Sequence, residues 1–134
     1  MFNRMHVKSI ATPMASIATN ASAIQPIFRF PAAGEVVGLR FTASTSQPAA
    51  TTTASGLTVT LYKNASNAGS IVGTFNTSGT GLATNAGAAG VLTTATLKKF
   101  AANDLLLIEE TGGAAMGSTL GAFVNVDYIY GYED

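Results

Sequence analysis

A chain with one histidine and no cysteine has few routes to covalent or metal chemistry. Nucleophilic triads need an imidazole held against the nucleophile. The single His6 lies near the start of the chain, between Arg4 and Lys8. It reads either as a pH-sensitive contact or, more blandly, as an exposed residue of an extended arm. Transition-metal sites in sandwich proteins draw on two or three histidines and a carboxylate. Calcium sites draw on several acids from one loop. This sequence offers neither set, so no metal and no cofactor are expected and the chain is not read as an enzyme.

The carboxylates lead to the same expectation. Glu109 and Glu110 are adjacent, so in a strand they face opposite sides and cannot share a substrate as a glycosidase pair does. Asp104, in "AAND", reads as a turn cap. Asp127 reads as an outward-facing acid of the final strand, with a neighbouring Lys or Arg as its expected partner. The glycine-rich "GTGLATNAG" lacks the Lys-Ser/Thr and the strand-then-helix setting of a phosphate cradle. Asn-x-Ser patterns at Asn20, Asn64 and Asn76 are assigned to chance in a chain rich in Asn, Ser and Ala.

Charge is sparse. Seven basic and seven acidic residues cancel, and they make up 10% of the chain, against about 25% in an ordinary soluble domain. Thr, Ser, Asn and Gly supply the remaining polarity. Such a surface is hydrated but repels its copies weakly, and near-zero net charge favours association. Apart from the pair Lys98 and Lys99 the basic residues are scattered, so no nucleic-acid partner is expected. No apolar run approaches the roughly 20 residues of a membrane helix, so no membrane partner is expected. The opening "MFNRMHVKSIATPMASIATNASA" has early basic residues and a small-residue end. Its middle is polar and broken by Pro13, so it is not read as a signal peptide.

The elements that must position these residues are strands. A length of 134 residues suits one domain, and its apolar residues recur at period two between turn signals. Residues 1–23 are expected to form an extended N-terminal arm, and residues 24–134 the folded domain. "AIQPIFRF" places Ile24, Phe28 and Phe30 on one side, with Pro26 pushing it to a sheet edge. "VVGLRFTA" places Val37, Leu39, Phe41 and Ala43 inward, and the two segments read as a hairpin across "PAAGE". "LTVTLYKN" buries Leu57, Val59 and Leu61, and "SIVGTFN" returns beside it. "VLTTATLKKF" reads as a strand, "LLLIEE" as a short run buried on both faces, and "GAFVNVDYIYGYED" as the closing strand. Low-complexity stretches at 44–56, 77–90 and 111–121 read as loops at the ends of the sheets. The sum is an all-β fold: an antiparallel two-sheet sandwich of jelly-roll type with about eight strands.

Three of these stretches carry a resemblance. "LTVTLYKNASNAGSIVGTF" resembles a strand-turn-strand unit of viral and phage-type jelly rolls. "KKFAANDLLLIEE" is similar to their penultimate hairpin, in which a turn of the form "aaGD" precedes an apolar strand, and "FVNVDYIY" to their closing strand. Asn103 stands where that turn has glycine, and asparagine tolerates the left-handed backbone better than most residues. Over residues 57 to 132 the chain thus resembles the small jelly-roll decoration, or cement, proteins of tailed-bacteriophage heads. The resemblance implies a structural virion protein on the outer surface of the head, a homotrimer whose partner is the major capsid protein. The alternative is a receptor-binding or glycan-binding tip of a head or tail fibre. Long loops without aromatics and a chain without Trp rank that second.

Two sets of residues are then candidates for contact. Tyr128, Tyr130 and Tyr132 share one face of the last strand. They serve either a seam between subunits, where tyrosine buries a large ring and keeps a hydroxyl for a partner, or the core of the single chain. Arg4, His6 and Lys8 make the arm basic, suited to lying across an acidic shell or a neighbouring subunit, or they belong to a frayed terminus.

Overall fold

The structure is a computed structural model that describes residues 6–52, 55–93 and 95–130. Its strands are β1 (Lys8–Pro13), β2 (Ser22–Arg29), β3 (Gly34–Thr42), β4 (Thr58–Lys63) and β5 (Ile71–Asn76). Then follow β6 (Gly87–Ala89), β7 (Val91–Leu92), the helical turn α1 (Ala95–Lys98), β8 (Lys99–Phe100), β9 (Leu105–Thr111) and β10 (Phe123–Tyr130). They form two sheets. Sheet A runs β1-β10-β3-β6, with β8 also on β3, and sheet B runs β2-β9-β4-β5-β7.

The connectivity is that of one long hairpin rolled up. Setting aside the two-residue β7 and β8, first pairs with last and so inward: β1 with β10, β2 with β9, β3 with β6, β4 with β5. Rolling then brings β10 against β3 and β9 against β4. Every one of these pairs is antiparallel. The fold is the expected all-β sandwich of jelly-roll type, with ten strands where about eight were read.

Alternation explains the core. On β10, Val124, Val126 and Tyr128 are buried, while Phe123, Asn125, Asp127 and Ile129 are half-covered on the outside. Opposite them β9 buries Leu106 and Ile108, β4 buries Val59 and Leu61, and Phe41 stacks on Phe75 with centroids 5.0 Å apart. One end is closed by rings. Phe30, fully buried, lies 4.3 Å from Phe100, 5.1 Å from Phe28 and 5.7 Å from Tyr128, centroid to centroid. Tyr130 completes the group, 5.2 Å from Tyr128.

Five expectations are corrected. The segment read as arm does not stand apart: Lys8–Pro13 is the edge strand of sheet A, and Ser22 and Ala23 already belong to β2. The reason is alternation within "SIATP", which turns Ile10 and Thr12 inward beside Val126 and Val124. β2 and β3 are not a hairpin, because the turn at 30–33 passes from one sheet to the other. Val37 is exposed and Val36 takes its place inside, since a bulge opposite Asp127 and Tyr128 adds one residue and reverses the phase. A second bulge, between Pro26 and Phe28, turns Ile24 outward while Phe28 stays against the core. Residues 91–100 are no single strand but β7, α1 and β8, carrying the chain from sheet B back to sheet A.

The aromatic end sets a measurable cost. Phe30→Ala empties the middle of the ring cluster, and large-to-small changes of this kind cost about 3–5 kcal/mol. Urea unfolding is expected to show that loss with an unchanged m-value. A loss under about 1 kcal/mol would mean that the rings do not close this end.

Candidate functional site

The opposite end of the sandwich is built from loops, and a buried glutamine ties them. Residues 43–52, 55–57, 77–86 and 112–122 and the β1–β2 connector 14–21 all lie outside the sheets there. Gln47, 2% exposed, exchanges backbone hydrogen bonds with Leu82 at 2.8 Å in each direction. Its side-chain Nε2 donates to the Ser118 carbonyl at 2.8 Å, and its Oε1 accepts from the Gly117 N–H at 2.9 Å. One residue, through its backbone and its side chain, thus joins three loops. The approach leaves no room for side chains: a Cβ at Gly81 would sit 2.5 Å from the Gln47 carbonyl oxygen, and one at Gly117 2.5 Å from that of Ser46. These loops are a fitted cap, although their composition reads as low complexity.

Glu110 lies beneath the cap. β9 alternates, so Glu109 faces out and Glu110 faces in, as adjacency in a strand dictates. Glu110 is 2% exposed, and its Oε2 has no hydrogen-bond partner among the described residues. Burial pushes its carboxyl up to about 7, against the pull of hydrogen bonds from the Ala15 backbone and the Thr119 side chain. The outward Glu109 accepts from the Tyr62 hydroxyl at 3.1 Å. Burial, and then that carboxylate, raise the Tyr62 phenol above its ordinary value.

Asp104 and Asp127 are held in hydrogen bonds. Asp104 Oδ2 accepts from the Ala101 N–H at 2.8 Å, and its Oδ1 accepts from Asn64 Nδ2 at 3.0 Å. Asn64 in turn accepts from the Leu105 N–H at 2.8 Å, which locks two turns together. Asn103 has φ 73°, the conformation for which asparagine substitutes for glycine. Asp127 accepts a hydrogen bond from the Ser9 hydroxyl of β1, the neighbour that meets it at the sheet edge. Among the described residues no three of His, Asp and Glu gather as a metal site, and no helix is long and apolar enough to cross a membrane.

The two candidate contact sets fare differently. Tyr128 is 7% exposed and packs on Phe28, Phe30 and Tyr130, so its ring is committed to the chain's own core and leaves no face for a seam. Tyr130 is half-buried on the same cluster, and Tyr132 lies outside the described residues. His6 and Lys8 are exposed, with Lys8 opposite Tyr128 at the end of β1; Arg4 lies outside the described residues.

The surface that sequence reasoning missed is the outer face of sheet B. Three registered rows cross it. Ile24, Glu109, Thr60, Thr74 and Val91 form one, and Pro26, Leu107, Tyr62 and Ile71 the second. Ser22, Thr111, Thr58 and Asn76 form the third. Glu109 is the one charge in these rows, and it is held by Tyr62. Five strands at about 4.8 Å spacing make a face about 19 Å wide. The signal was present as the outward set Thr58, Thr60 and Tyr62, but the neighbours became readable only with the pairing. Beside it, a hollow of ≈ 370 Å³ opens among Thr74, Asn76, Thr80, Leu82 and Val91. No family of known proteins, no curated protein and no solved structure gives a match to this chain.

The Asp104 turn predicts an acid limb of stability. Burial alone would raise its carboxyl, but the Asn64 and Ala101 hydrogen bonds and the Lys63 charge outweigh it and hold the value below the ordinary 3.8. The stabilisation is therefore present above that value and is lost as pH falls through the lower folded-state value. Asp104→Ala is expected to cost about 1–2 kcal/mol at pH 7 and less at pH about 2, because the wild-type carboxyl gains protons as pH falls toward its lowered value. Urea unfolding at the two pH values checks this; an equal cost at both would show that the charge does not matter.

Proposed function

We propose that this chain is a structural subunit of a virion: a decoration, or cement, protein that binds the outer surface of a phage head as a homotrimer and stabilises the shell. The observation that carries the reading is the outer face of sheet B, which spans five strands and whose three registered rows hold one charge, Glu109. Interface cores are depleted in charge and enriched in tyrosine, because desolvating charge is costly while apolar and hydroxyl groups re-pair cheaply. Thr58, Tyr62, Leu107 and Ile24 fit that composition. With Tyr128 committed to the core, self-association is assigned to this face rather than to the tyrosines of β10.

Three further features support the reading. The rolled-hairpin connectivity agrees with the jelly-roll resemblance of residues 57 to 132. The zero net charge lets copies lie close together on a crowded surface. The loop cap tied by Gln47 gives each subunit a fixed end for docking on the major capsid protein. Shell stabilisation then follows by mass action, since a subunit that binds only the assembled shell shifts the equilibrium toward it.

The test is co-sedimentation of the full chain with undecorated heads. Leu107→Lys, which places a cation on the face and spares the core, is expected to dissociate the trimer and lower head binding at least tenfold while the circular dichroism of the folded chain stays unchanged. Undiminished binding by this variant overturns the assignment of the face. Binding that host glycans compete away, with no affinity for heads, replaces the decoration reading with a fibre tip.

A further inference from the structure

We propose that Glu110 is a proton-operated latch: as the neutral acid it keeps the connector 14–21 and the loop 112–122 closed over one end of the core, and its ionisation opens them. This stands apart from the shell reading and does not depend on it. The two segments are tied to each other directly above the Glu110 end of β9. The Met14 N–H donates to the Ala122 carbonyl at 2.9 Å, and the Gly112 N–H to the Ala21 carbonyl at 2.8 Å. Thr119 is the hub: its hydroxyl donates to the Ala15 carbonyl at 2.9 Å and accepts from the Ile17 N–H at 3.2 Å. The same Ala15 and Thr119 are the groups that bear on Glu110. The acid therefore touches the place where the two segments join.

Among the described residues, no cation is paired with Glu110. Neither segment contains a charged residue. The charges of the surrounding strands lie elsewhere. Glu109 is on the other face of β9, Arg29 and Lys63 pair at the Leu105–Leu106 end of β9, Lys8 is at the far end of β1, and Asp127 faces Ser9. An ionised Glu110 with an orphaned Oε2 is thus unfavourable while the cap is closed, and water reaches it only when the cap opens. Such sub-global opening is an ordinary motion of loop-built regions.

The sign follows from linkage. The closed state holds the proton up to about 7, and the open state releases it near the ordinary 4.5. Between those values the closed state binds more protons, so rising pH favours opening, about tenfold per pH unit and roughly 300-fold across the interval. Below 4.5 the latch is fully closed; above about 7 its contribution is gone.

Hydrogen exchange of the full chain from pH 5 to 9, corrected for the intrinsic pH dependence of exchange, tests this. Residues 14–21 and 112–122 are expected to lose protection as pH rises while β9 and β10 keep theirs. Glu110→Gln, of the same shape and without a charge, is expected to stay protected to pH 9. Protection independent of pH in the wild type, or the same loss in the variant, overturns the latch. A carbon-13 titration of the wild-type Glu110 carboxyl gives a second reading that needs no variant: a midpoint near 7 supports the proposal, and one near 4.5 overturns it.

Discussion

The pairing of β10 between β1 and β3 is the contact on which the sandwich depends. It joins residues 8–13 to residues 123–130, nearly the whole chain apart, and then joins the same strand to residues 34–42. Until it forms, Val124, Val126 and Tyr128 have nothing to cover them, and sheet A has no centre. Only β4 with β5 is a local hairpin among the eight long strands. The remaining pairs must close long loops before burial rewards them, which places this chain among slowly folding β topologies. The benefit is a closed roll in which both long-range central strands, β9 and β10, are flanked on each side.

The two ends of the roll are finished by different physics. At one end, short turns let five aromatic rings meet, and dispersion with apolar burial closes the core. At the other, long loops must bring backbone over the core, and buried backbone groups need partners. Gln47 and Thr119 supply them, each serving segments far apart in sequence. Glu110 is the one member of this polar set left with an oxygen unpaired among the described residues. Between the two ends, the outer face of sheet B spans five strands, and its registered rows hold one charge.

Much of this was legible in the sequence because a strand announces itself by alternation. The inward residues of β4 and β10 follow from period two, as do the opposite facings of Glu109 and Glu110; "LLLIEE" read as buried on both faces, but it alternates, with Leu106, Ile108 and Glu110 inside and Leu105, Leu107 and Glu109 half-covered. The Asp104 cap and the left-handed Asn103 follow from turn chemistry. What alternation cannot report is an inserted residue. The bulges at Val37 and near Ile27 reverse the phase, so Val37 and Ile24 were assigned to the wrong side. Nor does it report partners: β2 and β3 look like a hairpin but lie in different sheets. Residues 8–13 look like an arm because their partner is more than a hundred residues away. Gln47 is an unremarked polar residue in a Thr- and Ala-rich loop until three loops converge on it. The tyrosines of β10 carried the right pattern, and the structure spends Tyr128 on the core.

The central proposal is that the outer face of sheet B, whose registered rows hold the single charge of Glu109, joins copies of this chain. Sedimentation equilibrium of the purified wild-type chain at micromolar concentration, at low and at high salt, tests it most directly. The account predicts the mass of a trimer, undiminished by salt, since no ion pairs are needed to hold it. A single-chain mass throughout, or a trimer that dissolves as salt is added, would contradict it.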